Sequence, residues 1–372
     1  MNKKIYFPGL NALRFFSAFA VIITHVELMK QKLEFSNSWT NTLIHNLGVM
    51  GVSFFFVLSG FLITYLLLEE KNQKGLISIK HFYFRRILRI WPLYFLILIL
   101  GFFILPNFSY VPFFSEKFSL NYYGNLLFYL LILPNFALSF YHSVPLIGQT
   151  WSIGVEEQFY LIWPILFRFK KIRFNFLIVM FFIWVFLKGL VLFSYFIIDN
   201  GSFLILKKVF SMLKFENMII GAIGALVIFN SKEKILAFIF KPFIFIISLF
   251  APFLSLFFLE TFIGDIIHII HSIFFIIIIL NVSTNPNSFL KLENKTFNFL
   301  GSISYGIYMY HMIVIYLLIK LLNFYFNFSF RLFYENILLH LLSLVITVFI
   351  SNFSYKFFEK IFLNWKLKYS HL

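Results

Sequence analysis

The sequence predicts an all-α polytopic membrane protein with about ten transmembrane helices and one short re-entrant or broken segment. Of its 372 residues, 61% are hydrophobic and only 12% are charged. A soluble domain is about half apolar and about a quarter charged, so the composition indicates an integral membrane protein. The apolar residues also fall into segments that approach the ~20 residues a helix needs to cross the hydrocarbon core.

Eleven such segments follow one another along the chain. They are 11–29, 47–68, 90–105, 124–140, 151–167, 174–198, 209–230, 235–259, 262–280, 300–323 and 335–358. Segment 124–140 is short and is interrupted at Pro134 and Asn135. It is therefore the one expected to be partial, since irregular backbone at membrane depth needs cover from protein or water.

The basic residues predict the orientation of the spans. Lys and Arg collect in short cytoplasmic loops, and the segment Glu69–Arg89 alone carries six of them. With ten crossings both termini are cytoplasmic, and 21 of the 31 Lys and Arg residues lie on that side against 8 on the outer side. The same preference accounts for the net charge of +16 through anionic lipid headgroups, so nucleic acid is not expected as a partner.

Two further features limit the organisation and the chemistry. The chain has no cysteine, which excludes disulfides and thiolate sites. No linker rich in Pro or Ser separates one part from another, so a single membrane domain over residues 1–372, without an appended soluble domain, is expected.

Ionisable side chains within the apolar segments are the candidate site residues. Each costs a few kcal/mol on insertion scales, so such groups usually face an interior cavity. Arg14 and His25 are eleven residues apart in the first segment, which places them on nearly one helix face and about 16 Å apart along the axis. Either residue alone fits a snorkelling Arg or a His satisfied by a neighbour. Lys188 is expected to snorkel in the same way.

Glu156 and Glu157 lie side by side near the predicted outer end of segment 151–167. Adjacent helical side chains point about 100° apart, so the two carboxylates are expected to do different work.

Several strings resemble the acyltransferase-3 family, the bacterial membrane O-acyltransferases that decorate cell-surface glycans. They are Arg14 with His25, Gly51–Gly60, Arg86 and Arg89 in Phe84–Pro92 (FRRILRIWP), Trp151–Pro164 (WSIGVEEQFYLIWP) and Gly301–His311 (GSISYGIYMYH). Each string is short, but their order and their placement in the topology are specific together. The resemblance runs from about Gly9 to Phe362.

The resemblance implies a reaction and its location. It implies transfer of an acyl group, with acetyl-CoA from the cytoplasm as the donor co-substrate, to a hydroxyl of a cell-surface glycan or lipid-linked saccharide. The enzyme would lie in the bacterial cytoplasmic (inner) membrane among its lipids, with both termini cytoplasmic. No metal is expected.

The resemblance also implies roles for residues. His25, Glu156 and Glu157 are the expected catalytic residues, and Glu156 is favoured as the carboxylate that supports a His25 imidazolium. His25 would act as general base on the hydroxyl or handle the acyl group itself. Glu157 is equally well placed to pair with Arg14 or to end the helix.

Arg14, Arg86 and Arg89 are expected to hold the phosphates of the coenzyme, because Arg forks bind phosphate bidentately. The segment Phe84–Pro92 is expected to be a cytoplasmic loop. A segment that only keeps the cytoplasmic side fixed by its positive charge would explain the basic residues, but not the spacing of Arg86 and Arg89.

Four residues are expected to line the substrate cavity, namely Trp151, Ser152, Tyr160 and His311. The main alternative is a transporter of a lipid-linked sugar or small solute, which would use the same charges without a coenzyme site. Transporters often show internal repeats with paired broken helices, and the sequence shows no clear repeat.

Overall fold

The structure is a computed structural model that describes residues 5–108, 121–169, 173–197, 201–258 and 266–368. In this part of the chain all regular secondary structure is helical, which confirms the predicted all-α fold. The chain divides into two compact units. Unit 1 comprises residues 1–58 and 230–358, and unit 2 comprises residues 59–229 and 359–372. The expectation of a single functional domain stays a prediction.

The described helices are, in chain order, α1 (Leu10–Lys32), α2 (Thr42–Lys74), α3 (Ile79–Ile99), α4 (Tyr122–Leu130), α5 (Pro134–Phe140), α6 (Trp151–Phe169), α7 (Phe174–Ile197), α8 (Gly201–Met212), α9 (Phe215–Phe229), α10 (Glu233–Ile239), α11 (Pro242–Phe258), α12 (Ile266–Thr284), α13 (Lys295–Ser302), α14 (Ser304–Phe326), α15 (Phe333–Ser354) and α16 (Lys360–Lys368).

Within the described residues, eight helical stretches are long and apolar enough to cross a membrane. The bent pair of α10 and α11 makes a ninth if it counts as one span. Helix α6 has 19 residues, which is long enough to cross, but it also carries Glu156, Glu157 and Arg168. The eight or nine candidate spans make the chain an integral membrane protein.

Helix α1 is the centre of unit 1, where it packs against α13, α14 and α15. It also lies very close to the first half of α2, because a Cβ on Gly51 would come within 2.7 Å of the Ser17 carbonyl oxygen. The Thr24 hydroxyl donates to the Ile44 carbonyl at 2.7 Å across the same contact. Gly51 in α2 therefore lets two helix backbones approach closely, as small residues do in membrane helices.

The start of α1 is fixed by Glu293, which precedes α13. Its carboxylate accepts hydrogen bonds from Asn298 Nδ2 at 2.6 Å, from the Tyr6 hydroxyl and from the Gly9 amide at 2.7 Å. Partial burial raises the pKa of the Glu293 carboxyl, but these hydrogen bonds outweigh it and hold the pKa below its ordinary value. Gly9 adopts φ 73°, a left-handed conformation that suits glycine.

In unit 2, the segment Phe84–Pro92 is helical, so the expectation of a loop was wrong. Helix α3 begins at Ile79, where the Ser78 side chain accepts from the His81 amide. It runs through Pro92 and continues as a π-helical turn over Leu100–Ile104. A proline is tolerated in a membrane helix where neighbouring groups satisfy the freed backbone. Arg85, Arg86 and Arg89 therefore lie on a helix and not on a loop.

Segment 124–140 is broken, as the sequence predicts. Helices α4 and α5 are separated at residues 131–133, where Ile132 has φ 59°. Pro134 begins α5, a position where its missing N–H costs nothing. Helix α5 packs against α6, and the amides of Asn135 and Gln158 bond to each other across this contact, with Gln158 Nε2 donating at 2.8 Å.

Lys188 does not snorkel, contrary to the sequence-based expectation. It is buried in unit 2, and its Nζ lies 2.6 Å from Glu216 Oε1. Trp184 Nε1 also donates to Glu216 Oε2 at 2.8 Å. The pair joins α7 to α9, because two opposite charges at this depth are least costly when they neutralise each other.

Candidate functional site

In unit 1, His25 on α1 contacts His311 on α14. His25 Nδ1 lies 2.6 Å from His311 Nε2, and the two rings stack with centroids 4.9 Å apart. His311 is fully buried, whereas His25 is partly exposed. The structure thus brings together two residues that are 286 positions apart in the sequence.

The hydrogen bonds determine which nitrogens carry protons. His311 Nδ1 lies 2.6 Å from the Tyr308 carbonyl oxygen, and a carbonyl only accepts, so His311 Nδ1 carries a hydrogen. In the neutral ring His311 Nε2 is then an acceptor, and His25 Nδ1 must donate to it. This leaves the lone pair on His25 Nε2, the nitrogen that can accept a proton from a substrate hydroxyl.

Arg14 lies on the same helix as His25, nearer to its N-terminal end. Its Nη1 donates to Asn11 Oδ1 at 3.1 Å, and Asn11 Nδ2 donates to Asn298 Oδ1 on α13 at 3.2 Å. The guanidinium is half-buried. Asn11 therefore orients the Arg14 guanidinium through a neutral amide.

In unit 2, Glu156 and Tyr160 lie one turn apart on α6. The Tyr160 hydroxyl donates to Glu156 Oε2 at 3.1 Å, and the Ser59 hydroxyl on α2 bonds to the same Tyr160 oxygen. Since the single Tyr160 hydrogen goes to Glu156, Ser59 is the donor. The Glu156 carboxylate is thereby held at the end of a chain of two hydroxyls.

Arg86 on α3 faces this chain. Its guanidinium carbon lies 5.5 Å from the centre of the Tyr160 ring and 5.7 Å from that of Phe82. In contacts of this kind the cation lies over the faces of the rings, so Tyr160 and Phe82 help to position the Arg86 guanidinium. Arg89 is one turn further along α3, so both arginines project on the same side.

The neighbouring Arg85 is used differently. Its Nη2 lies 3.1 Å from Glu70 Oε2 on α2, and the second Glu70 oxygen accepts from the Ser78 amide at 3.0 Å. Arg85 therefore ties the start of α3 to the end of α2. Arg86 instead contacts the rings of Phe82 and Tyr160.

Glu157 points away from Glu156, as adjacent helical residues must. Its Oε2 accepts from Trp91 Nε1 on α3 at 3.0 Å. Its Oε1 is buried and has no hydrogen-bond partner among the described residues. A buried carboxylate oxygen without a hydrogen-bond partner is costly, unless the carboxyl is protonated or a bound ligand donates a hydrogen bond to it.

The remaining predicted cavity residues lie on the first turn of α6. Trp151 is half-buried, and Ser152 is buried with its hydroxyl 3.4 Å from the Gln149 carbonyl. Of the predicted site residues, His25 and His311 meet in unit 1, and Glu156, Tyr160 and Arg86 meet in unit 2. A shared cavity for His25 and Glu156 stays a prediction.

Sequence reasoning missed three groups in these clusters. The sequence patterns assign no role to Ser59, to Trp91 or to the Tyr308 carbonyl. The available signal was the need of each buried polar group for a partner. The no-metal expectation also stays a prediction, although no group of three or more His, Cys, Asp or Glu residues in the described ranges is placed to hold a metal ion.

Comparison with known proteins assigns the chain that carries these clusters to a family. A family model described as an acyltransferase domain, that of the acyltransferase-3 proteins, matches residues 7–355. The chain belongs to the acyltransferase-3 family. This membership favours the acyltransferase interpretation over the transporter alternative, and the match includes every predicted site residue.

Several relatives of this chain come from Staphylococcus aureus. It is 27% identical over 347 residues to the O-acetyltransferase OatA of strain NCTC 8325 / PS 47. This alignment covers 85% of the present chain and 51% of the relative. A protein of strain COL with the provisional name of an O-acetyltransferase is 27% identical over 336 residues, with 84% and 51% coverage. The chain thus spans about half the length of these relatives. No solved structure matches it.

We expect His311→Phe to lower the acyl-transfer rate about tenfold or more, because the ring still stacks but no longer accepts from His25 Nδ1. General-base catalysis is worth 10²–10⁴-fold, and a wrongly oriented base keeps part of it. Tyr308→Phe is the matched control, since Tyr308 bonds His311 through its backbone carbonyl. The assay measures transfer in membranes at equal protein level. Equal rates for both variants would contradict the role of His311.

We expect Glu156→Gln to stop acyl transfer and Glu157→Gln to keep substantial activity. The amide preserves the shape of Glu156 but removes the charge that faces Arg86 and would support an imidazolium. Transfer at matched protein level compares the two. The opposite ranking would reassign the essential carboxylate to Glu157, and activity in both variants would remove these carboxylates from catalysis.

Proposed function

We propose that the protein is a membrane O-acetyltransferase. It moves acetyl from cytoplasmic acetyl-CoA to a hydroxyl of an extracytoplasmic cell-surface glycan or lipid-linked saccharide. The observation that carries the proposal is the hydrogen-bond chain from His25 through His311 to the Tyr308 carbonyl. Family membership and the relatives named as O-acetyltransferases support the reaction class.

His25 performs the proton transfer in this proposal. Its Nε2 accepts the proton of the acceptor hydroxyl while the hydroxyl oxygen bonds to the acetyl carbon and the carbon–sulfur bond breaks. The proton then passes from His25 Nε2 to the departing sulfur, which leaves as a thiol. His311 holds the ring in the productive tautomer and shares the positive charge that His25 carries between the two steps.

The residues around Arg86 suit an anionic coenzyme. Its guanidinium lies over the rings of Tyr160 and Phe82, and Arg89 adds a second cation on the same side of α3. Arginines in this arrangement bind phosphate groups bidentately. Arg86 lies about 10 Å along α3 from its first residue, so the coenzyme would reach between helices and not stay on a surface loop. Arg14 is the third proposed phosphate ligand.

The proposed orientation places both termini and the segment Glu69–Arg89 in the cytoplasm of a bacterial cell, with the protein in the inner membrane. The bias of Lys and Arg residues supports it. The coenzyme then reaches Arg86 from the side where acetyl-CoA is made, and the C-terminal end of α1 faces the outside.

The test of the proposed function compares surface glycans from cells with the wild-type protein, with His25→Ala and without the gene. We expect mass spectrometry to show glycan O-acetyl groups only with the wild type. Protein abundance and acetyl-CoA binding should persist in His25→Ala, because the residue is partly exposed on an otherwise well-packed helix. Wild-type acetylation in that variant would remove His25 from the mechanism, and unchanged glycans without the gene would overturn the acceptor assignment.

We expect the double variant Arg86→Ala, Arg89→Ala to bind acetyl-CoA at least about tenfold more weakly, since charge-assisted hydrogen bonds contribute about 1.5–3 kcal/mol each. Arg85→Ala is the control, because Arg85 is paired with Glu70. Binding to purified protein is measured by isothermal titration calorimetry. If the double variant binds as the wild type does, the arginines only anchor the topology.

The cysteine-free chain allows a direct test of orientation. A membrane-impermeant thiol reagent should not label Lys74→Cys in intact cells but should label it once the membrane is opened. Asn37→Cys, beyond the C-terminal end of α1, should be labelled in intact cells. Labelling of Lys74→Cys in intact cells would reverse the orientation.

A further inference from the structure

Unit 2 contains four half-buried charged side chains that form no ion pair. They are Arg86 and Arg89 on α3 and Glu156 and Glu157 on α6. No ion pair joins any of the four to another described residue, and neither arginine donates a hydrogen bond to one. Helices α3 and α6 pack against each other, so two cations and two anions remain unpaired although they lie on neighbouring helices.

Two other sets of buried charges show the usual outcome. Lys30 Nζ lies 2.9 Å from Glu27 Oε1 on α1, and Lys188 Nζ lies 2.6 Å from Glu216 Oε1 in unit 2. Opposite charges attract strongly where little water screens them, and an uncompensated charge inside the protein is costly. The unpaired state of the four charges on α3 and α6 therefore needs a physical cause that keeps the two signs apart.

Tyr160 contacts one charge of each sign. The guanidinium carbon of Arg86 lies 5.5 Å from the centre of the Tyr160 ring, and the Tyr160 hydroxyl donates to Glu156 Oε2 at 3.1 Å. The face of the ring attracts the cation, while the hydroxyl gives the carboxylate a charge-assisted hydrogen bond. Tyr160 is 4% exposed, and the Ser59 hydroxyl bonds to its oxygen. The side chain is thus fixed in place and stabilises each charge without letting the two meet.

Phe82 provides an internal comparison for Tyr160. Its ring centre lies 5.7 Å from the guanidinium carbon of Arg86, and it is also buried. A phenylalanine has no hydroxyl to donate to a carboxylate, so Phe82 can position Arg86 but cannot bind Glu156. The two rings therefore share the contact with the cation, and Tyr160 alone of the two also contacts the anion.

We propose that Tyr160 is a positioning residue that separates Arg86 from Glu156. Its ring prevents an ion pair between them, so the guanidinium stays available for the phosphates of the coenzyme. Its hydroxyl, with Ser59 behind it, orients the Glu156 carboxylate for the transfer. The ring thus acts on coenzyme affinity and the hydroxyl on the rate. This inference rests on the proposed function, in which acetyl-CoA is the donor.

The experiment measures acetyl-CoA binding by isothermal titration calorimetry on the purified full chain in lipid nanodiscs. In Tyr160→Leu an ion pair between Arg86 and Glu156 can form, and the coenzyme has to break it. We expect binding about tenfold weaker, the effect of one charge-assisted hydrogen bond. Adding Glu156→Gln should restore the affinity, because an amide forms no ion pair. Glu156→Gln alone supplies the baseline, and the recovery beyond that baseline measures the coupling between the two positions.

Two further variants separate the ring from the hydroxyl. Phe82→Leu is the matched control, since it removes a ring from Arg86 but leaves Tyr160 in place, and Glu156→Gln should not restore its affinity beyond the baseline. Tyr160→Phe keeps the ring, so acetyl-CoA should bind within about twofold of the wild type. Its transfer rate in membranes at saturating acetyl-CoA should fall about tenfold, because Glu156 loses a hydrogen bond. This variant tests the inference even if Tyr160→Leu does not fold.

Several results would overturn the inference while the proposed function stands. They are wild-type affinity in Tyr160→Leu, a loss that Glu156→Gln does not restore, equal recovery in Phe82→Leu, and a loss of affinity in Tyr160→Phe. Each would show that the ring of Tyr160 does not keep the two charges apart. A wild-type protein that binds no acetyl-CoA would refute the donor in the proposed function, and the inference with it.

Discussion

A polar side chain inside an apolar helical unit has no bulk water to bond, so its place is determined by the few groups within the unit that can bond to it. In unit 1 a backbone carbonyl of α14 accepts from His311, and His311 in turn accepts from His25. In unit 2 the hydroxyls of Ser59 and Tyr160 end on Glu156. Each candidate catalytic group is thus oriented by a chain of bonds that begins at a residue with no role in the reaction.

Within unit 1, helix α1 carries residues of two separate hydrogen-bonded clusters. Helix α1 contributes His25 to one chain and Glu27 with Lys30 to another, on opposite sides. The position of α1 is fixed by its close approach to α2 at Gly51. It is also fixed by the hydrogen bonds that Glu293 accepts at the start of the helix. A shift of α1 would disturb the contact between His25 and His311. Contacts of α1 with α13, α14 and α15, and with α2 at Gly51, hold the helix in place.

Much of this arrangement could be predicted from the sequence, and the rest depends on contacts between distant segments. Composition was sufficient for the all-α membrane fold, and Pro134 was sufficient for the break between α4 and α5. The spacing of Arg14 and His25 placed both on one helix. In contrast, the partner of His25 depends on the packing of α1 against α14, which no local pattern encodes. Lys188 and Glu216 occupy neighbouring spans, and their opposite charges were the overlooked signal for a buried pair. The helical course of Phe84–Pro92 was missed because six basic residues were taken to mean a loop.

The short distance between His25 and His311 also bears on charge movement during turnover. Two imidazolium rings 2.6 Å apart would repel strongly, so the pair holds at most one extra proton. In the proposed reaction that proton arrives from the acceptor hydroxyl and departs on the coenzyme sulfur before the next cycle. A hydrogen therefore passes from the outer hydroxyl to the inner thiol in exchange for the acetyl group, with no net movement of charge. In the proposed reaction the acetyl transfer is electrically silent, so we expect the membrane potential neither to drive nor to oppose it.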